Sequence, residues 1–452
     1  MISAAALLIP SMQAFAEHDD RPRTKNLHPM GHIEEPRNLL TPGGDNLKIH
    51  TDIAFWGKYA FQGTWRGGFN IRDISAPGKP KQVAEVTNCD GPQGDIVVWE
   101  NILVRTWDQP AGNAFTLPPV VAPFGAGFEC GGRTYPAGWE GVHIFDISDI
   151  RNPVLVGDVQ TRCGSHTASG VPDPQNNRLL IYSSGSSLLC EGFDLIEVPL
   201  DDPAGASHVK EVDGEMMCHD IGVIMGDVMR AACAGHHGYQ VWDISTLDDP
   251  EFEYMVDVNE VFGYELGDPG FISIGHSAVF TWDGEVIVFG HEPGGGVQAQ
   301  CQAGQPETNR SAMFFRADDG EFLGMWTLPR TQQADENCTI HNYNIVPTRT
   351  GNYILVSGNY QAGTWVTDFT DPANPRTVAW SDPVAKPVPD TPLGQLIGTA
   401  LCGAWSSYWY NGFIYESNIC EGLNVFRLSG RETAGAIRLP HLNPQTQEFT
   451  IP

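Results

Sequence analysis

Five histidines stand at matching places along the chain, each followed by a small or polar residue. They are His50-Thr51-Asp52, His166-Thr167-Ala168, His219-Asp220-Ile221, His276-Ser277-Ala278 and His341-Asn342-Tyr343. Each opens a short strand-like run. Neutral imidazole is a good ligand for copper, iron and zinc, and several imidazoles brought to one point make the donor set such an ion needs. Asp52, Asp95 and Asp220 could orient the ring nitrogens from behind, as carboxylates behind metal-bound histidines do. His291 and Glu292 follow a second strand-like run and are candidates for an extra ligand or a proton-transfer group. His236 and His237 stand at a similar place one repeat earlier and read as exposed loop residues. A competing use is structural: histidines at such junctions also hydrogen-bond to loop backbone and hydroxyls, and that use would repeat equally well.

No catalytic residue is assigned. The chain lacks a Gly-x-Ser-x-Gly elbow, a phosphate loop, a His-Glu-x-x-His helix and a dinucleotide fingerprint, so nucleophilic hydrolysis has no support.

The elements that must position these histidines are written in a second pattern. A glycine, alternating apolar residues and then Asp-Ile-Ser recur as Gly68 to Ser75, Gly141 to Ser148 and Gly238 to Ser245, with Gly363 to Thr370 as a variant. Worn copies place the Asp position at Glu197, Arg316 and Arg427. A turn with proline follows each clear copy, and two further strand-like runs precede it. Self-similarity at this period, four short strands per unit, predicts an all-β, seven-bladed β-propeller of four-stranded antiparallel blades. The longer intervals hold insertions near 109–138 and 293–312, between second and third strands. First strands line such a channel, so the five histidines should meet near one mouth. Either 27–34 or 433–439 could supply the outer strand that closes the ring.

These phrases resemble the LVIVD-repeat family of secreted or surface-linked bacterial β-propellers, over roughly Leu27 to Leu428. The resemblance implies the fold and names no reaction.

The ten cysteines fall into two classes. Cys89, Cys163, Cys218, Cys338 and Cys402 precede first strands. Cys130, Cys190, Cys233, Cys301 and Cys420 lie at or near second-to-third-strand connections. Both connections share one face of a propeller, so pairing across the classes is geometrically sensible. The expected bridges are Cys89–Cys130, Cys163–Cys190, Cys218–Cys233 and Cys402–Cys420, and by exclusion Cys301–Cys338. The same face would carry the histidines and the insertions, and is where binding is expected.

Acidic residues outnumber basic ones 55 to 26, for a net charge of -29. Such a surface repels phosphate backbones and excludes nucleic acid as a partner. The apolar start followed by Ala14-Phe15-Ala16 reads as a truncated signal peptide over 1–16, leaving 17–452 as one domain. No later run is long and apolar enough to span a membrane. Export to an extracellular or periplasmic space fits the even cysteine count. Two functions remain. One is a secreted protein that binds a transition metal (copper, iron or zinc) at the histidine cluster, or a metal-dependent oxidoreductase built on it. The other is a non-catalytic module that binds a small molecule, protein or surface at the loop-rich face.

Overall fold

The computed structural model describes residues 21–34, 49–65, 68–89, 94–108, 128–136, 138–162, 164–185, 190–296, 299–333, 336–383 and 402–452. The expected signal peptide, Cys163 and most of the first insertion lie outside them.

Strands dominate, and they fall into antiparallel sets of four that run up and down in chain order. The first set is Ile49–Trp56, Tyr59–Trp65, Gly68–Asp73 and Lys81–Val86. The second is Ile96–Trp99, Ile102–Trp107, Gly141–Asp146 and Val154–Gln160. The third is Thr167–Asp173, Arg178–Ser184, Phe193–Pro199 and Ser207–Val212. The fourth is Ile221–Ile224, Arg230–Gly235, Gly238–Asp243 and Glu251–Asp257. The fifth is Gly275–Phe280, Val286–His291, Ser311–Arg316 and Phe322–Thr327. The sixth is Asn342–Ile345, Ile354–Gly358, Thr364–Asp368 and Arg376–Ser381. The seventh joins Ala404–Tyr410, Phe413–Asn418 and Gly422–Leu428 to Leu27–Glu34, from the other end of the chain. This all-β arrangement of four-stranded sheets is consistent with a β-propeller.

The recurring phrase has a local cause. Its Asp carboxylate accepts the backbone N–H two residues on, at 2.9 Å for Asp73–Ser75, 2.8 Å for Asp146–Ser148 and 2.6 Å for Asp243–Ser245. That turn ends the third strand and directs the chain into the fourth. The residue between them (Ile74, Ile147 or Ile244) is buried. Gly68 opens the first phrase at φ 96°, where a Cβ would meet the Val86 carbonyl oxygen at 2.7 Å.

Apolar clusters fill the space between successive sheets, as layer packing requires. Phe69 of the first set meets Phe145 of the second at 5.0 Å, and Phe193 of the third meets Trp242 of the fourth at 5.3 Å. Phe55 of the first set stacks on Tyr410 of the seventh at 4.7 Å, so the last sheet returns to the first.

Residues 27–34 supply the closing strand, pairing antiparallel from Leu27↔Leu428 to Glu34↔Gly422. The other candidate, 433–439, starts a different element. From Ala436 onward the C-terminal segment touches the first strand of every set or the turn that follows it. Ile437 N–H donates to Pro347 O, and Tyr410 donates its hydroxyl to Pro440 O. His441 and Leu442 pair with Trp56 and Phe55. Asn443 exchanges two hydrogen bonds with the Val98 backbone, and Thr446 donates to Gly170 O. Thr446 and Gln447 pair in parallel with Val223 and Ile224, and Ile451 N–H donates to Trp282 O. The tail therefore runs past the first strands, or the turns after them, of all seven sets.

Cys89–Cys130, Cys218–Cys233, Cys301–Cys338 and Cys402–Cys420 are bonded as expected, and Cys190 is also disulfide-bonded. No helix among the described residues is long and apolar enough to cross a membrane.

Candidate metal centre

Four of the five histidines lie side by side. Ring centroids are 4.5 Å apart for His166–His219, 4.3 Å for His219–His276 and 4.2 Å for His276–His341. The arc follows from the repeat, since each residue opens the first strand of its set. Asn342 pairs in parallel with Ser406, so Trp405 holds the repeat position of His341, and its ring is 4.8 Å away. His50 is buried and pairs with Thr64 across its sheet.

The Nδ1 atom of every arc histidine has a fixed partner. His166 Nδ1 meets Asp108 Oδ2 at 2.6 Å, and His219 Nδ1 meets Asp220 Oδ1 at 3.0 Å. His276 Nδ1 meets Ser277 Oγ at 2.6 Å and stands 3.5 Å from Asp220 Oδ2. His341 Nδ1 donates to Trp405 O at 2.6 Å. A carbonyl oxygen can only accept, so the proton of neutral His341 sits on Nδ1 and Nε2 keeps its lone pair. Ser277 donates to Asp220 Oδ2 at 3.0 Å, which leaves its oxygen to accept from His276 Nδ1. The same tautomer follows there.

Ligand atoms of His276, Glu292 and His341 lie within 4.8 Å of one another, and so do those of His219, Asp220 and His276. His276 belongs to both groups; His50, His166 and His291 belong to neither. Cys89, Cys130 and His143 form a third such group, but the two sulfurs are bonded to each other and offer no thiolate. Glu292 Oε1 stands 3.7 Å from His341 Nε2 and accepts the Tyr360 hydroxyl at 2.8 Å.

Burial sets the charge state of these groups. It holds His276 well below the usual imidazole range, with the neighbouring His341, His219 and His166 acting in the same direction. It also lowers His341, against the opposing charge of Glu292. His291 is pushed down to about 3 by burial, and neither ring nitrogen has a hydrogen-bond partner among the described residues. For His166, burial is outweighed by Asp108 and the value rises. For Asp220, burial is outweighed by His219 and the other histidines, and the carboxylate is held below its usual range.

The three carboxylates named from sequence differ in placement. Asp220 touches the imidazoles. Asp52 accepts instead from Tyr408 Oη at 2.7 Å and Gln445 Nε2 at 2.9 Å, and burial pushes it up to about 6. Asp95 accepts from Ala168 N–H at 3.3 Å; burial and the charges of Asp52 and Asp220 hold it well above the usual range. His237 Nδ1 stands 3.1 Å from Asp257 Oδ2, beside His236 and in neither ligand group. Asp108 and Tyr360 carry no signal in the histidine spacing, because they lie at the end of a second strand and in a turn, whereas Trp405 stands at the repeat position of the histidines, which the spacing does mark.

The LVIVD repeat family model matches residues 50–88 and 131–161. No curated protein matches the sequence. Among solved structures, the crystal structure of the computationally designed Ika8 protein is similar over 87% of this chain and 100% of its own, at 10% identity and a TM-score of 0.45.

Proposed function

Taking the chain as an LVIVD-repeat protein, we infer that it is a seven-bladed β-propeller that binds a transition metal ion (copper, iron or zinc) through His276, His341 and Glu292. His219 and His166 extend the donor arc. One observation carries the reading. His341 Nε2 and Glu292 Oε1 face each other at 3.7 Å, both as acceptors, because the imidazole proton is committed to the Trp405 carbonyl and burial keeps the ring neutral. Two acceptors repel unless a proton or a cation lies between them. Ligand atoms at about 2.1 Å from one ion stand about 3.0–3.4 Å apart, so a contraction of a few tenths of an ångström would complete the contact. Two histidines and a carboxylate suit zinc or iron(II) and leave coordination positions for water or substrate.

The seven-bladed reading is supported by the seven four-stranded sets and by the contact of the last set with the first. The disulfides favour an extracellular or periplasmic site. A non-catalytic binding module is the second reading, favoured by the division of the ligand atoms into two groups rather than one. Elemental analysis of protein purified without a polyhistidine tag tests the first. We expect about one equivalent of copper, iron or zinc per chain, lost in His276→Ala and His341→Ala with the fold retained. Metal-free wild type, or variants that keep the metal, would favour the second.

A further inference from the structure

Tyr360 lies in the turn between the second and third strands of the sixth set, with φ at 45°. A bulky side chain seldom adopts the left-handed region, and the cost is tolerated where the surroundings impose it. Here Tyr360 N–H donates to Ala404 O at 2.9 Å, Ala404 N–H returns a bond to Tyr360 O at 2.7 Å, and Gly363 N–H donates to the same oxygen at 3.0 Å. Gly403 lets the backbones approach: a Cβ there would lie 2.2 Å from Tyr360 C.

The buried ring that this turn delivers joins the first strand of its own set to the fifth set. It lies 4.4 Å from the His341 ring, and its hydroxyl donates to Glu292 Oε1 at 2.8 Å. Gly296 closes the remaining side at φ 71°. A Cβ there would be 2.6 Å from Glu292 Oε1 and 2.7 Å from Tyr360 Oη, and its carbonyl is held by Asn337 Nδ2 at 2.7 Å.

We propose that Tyr360 is the positioning residue of the metal centre, its hydroxyl holding Glu292 Oε1 against His341 so that the carboxylate completes the ligand set. The proposal rests on the metal reading above. A glutamate side chain has several rotamers, and the one adopted here presents this oxygen to His341. The hydroxyl selects it, and the strained turn keeps the hydroxyl in place. Groups that orient a ligand in this way typically change metal affinity 10- to 100-fold.

The test is a titration of the full chain with cobalt(II), read by affinity and by the visible ligand-field band. Wild type, Tyr360→Phe and Glu292→Gln are compared. We expect Tyr360→Phe to weaken binding about 10- to 100-fold and shift the band, with Glu292→Gln at least as damaging. Wild-type affinity and band position in Tyr360→Phe, with loss in Glu292→Gln, would overturn the positioning role and leave the metal reading standing. Failure of wild type to bind cobalt would overturn both. Should Tyr360→Phe not fold, Gly296→Ala disturbs the same hydrogen bond, because a Cβ there meets both Glu292 Oε1 and Tyr360 Oη: loss of affinity and a shifted band are expected, and wild-type affinity and band would overturn the positioning role.

Discussion

Asp220 serves two members of the histidine arc, His219 through one oxygen and His276, directly and through Ser277, by the other. Asp220→Asn should therefore lower metal affinity about 10- to 100-fold, measured by calorimetric titration. Asp95→Asn should leave it near wild type, because burial and its carboxylate neighbours already disfavour its charge. Equal losses in both would show that total negative charge, rather than orientation, governs the site. The histidines and Asp220 were legible in the sequence because they repeat or adjoin a repeat. Asp108 and Tyr360 were not. Their roles depend on where a single connection places them and, for Tyr360, on a backbone angle that spacing does not encode.

The closing strand shows how far elements can be read. Both terminal candidates are short runs with apolar residues, and their sequences alone do not separate them. Polar pairing decides it. Arg21, just before the closing strand, donates to Glu416 Oε1 at 3.0 Å and also pairs with Glu421. Burial alone would raise Glu416, but Arg21, Asn418, Asn424 and Thr364 hold it at about 2. A depressed carboxylate stabilises the fold fully above its ordinary value and loses that contribution as pH falls toward 2. The shift corresponds to about 3 kcal/mol. Denaturant unfolding should show Glu416→Gln less stable by about that amount at neutral pH, with a flatter decline between pH 4.5 and 2. A parallel decline in both proteins would assign the acid sensitivity elsewhere. The Asp-Ile-Ser phrase, by contrast, was legible because its turn is local.

At the scale of the molecule, the repeat announced the four-stranded antiparallel sheets, while the C-terminal tail had no repeat to betray it. Its bonds are to first strands far away in sequence, and its buried polar residues, Asn443, Thr446 and Gln447, read as an ordinary loop. Removing residues 440–452 should leave the sheets assembled but expose their innermost edges. The amides of Val98, Val223 and Met225, which donate to Asn443, Gln445 and Gln447, should lose protection in hydrogen exchange, while those of outer strands should not. Uniform loss throughout would mean that the tail is needed to assemble the ring.

On the propeller reading proposed above, that tail would make the molecule a flask rather than a pipe. In such a flask, whatever reaches the histidines would arrive and depart by the same doorway, so entry and exit would compete for it. A bulky body lodged in the opening would both shut out newcomers and trap what is already inside. Opening the base should release that coupling, and the dwell time of a bound guest would then be set by two exits instead of one.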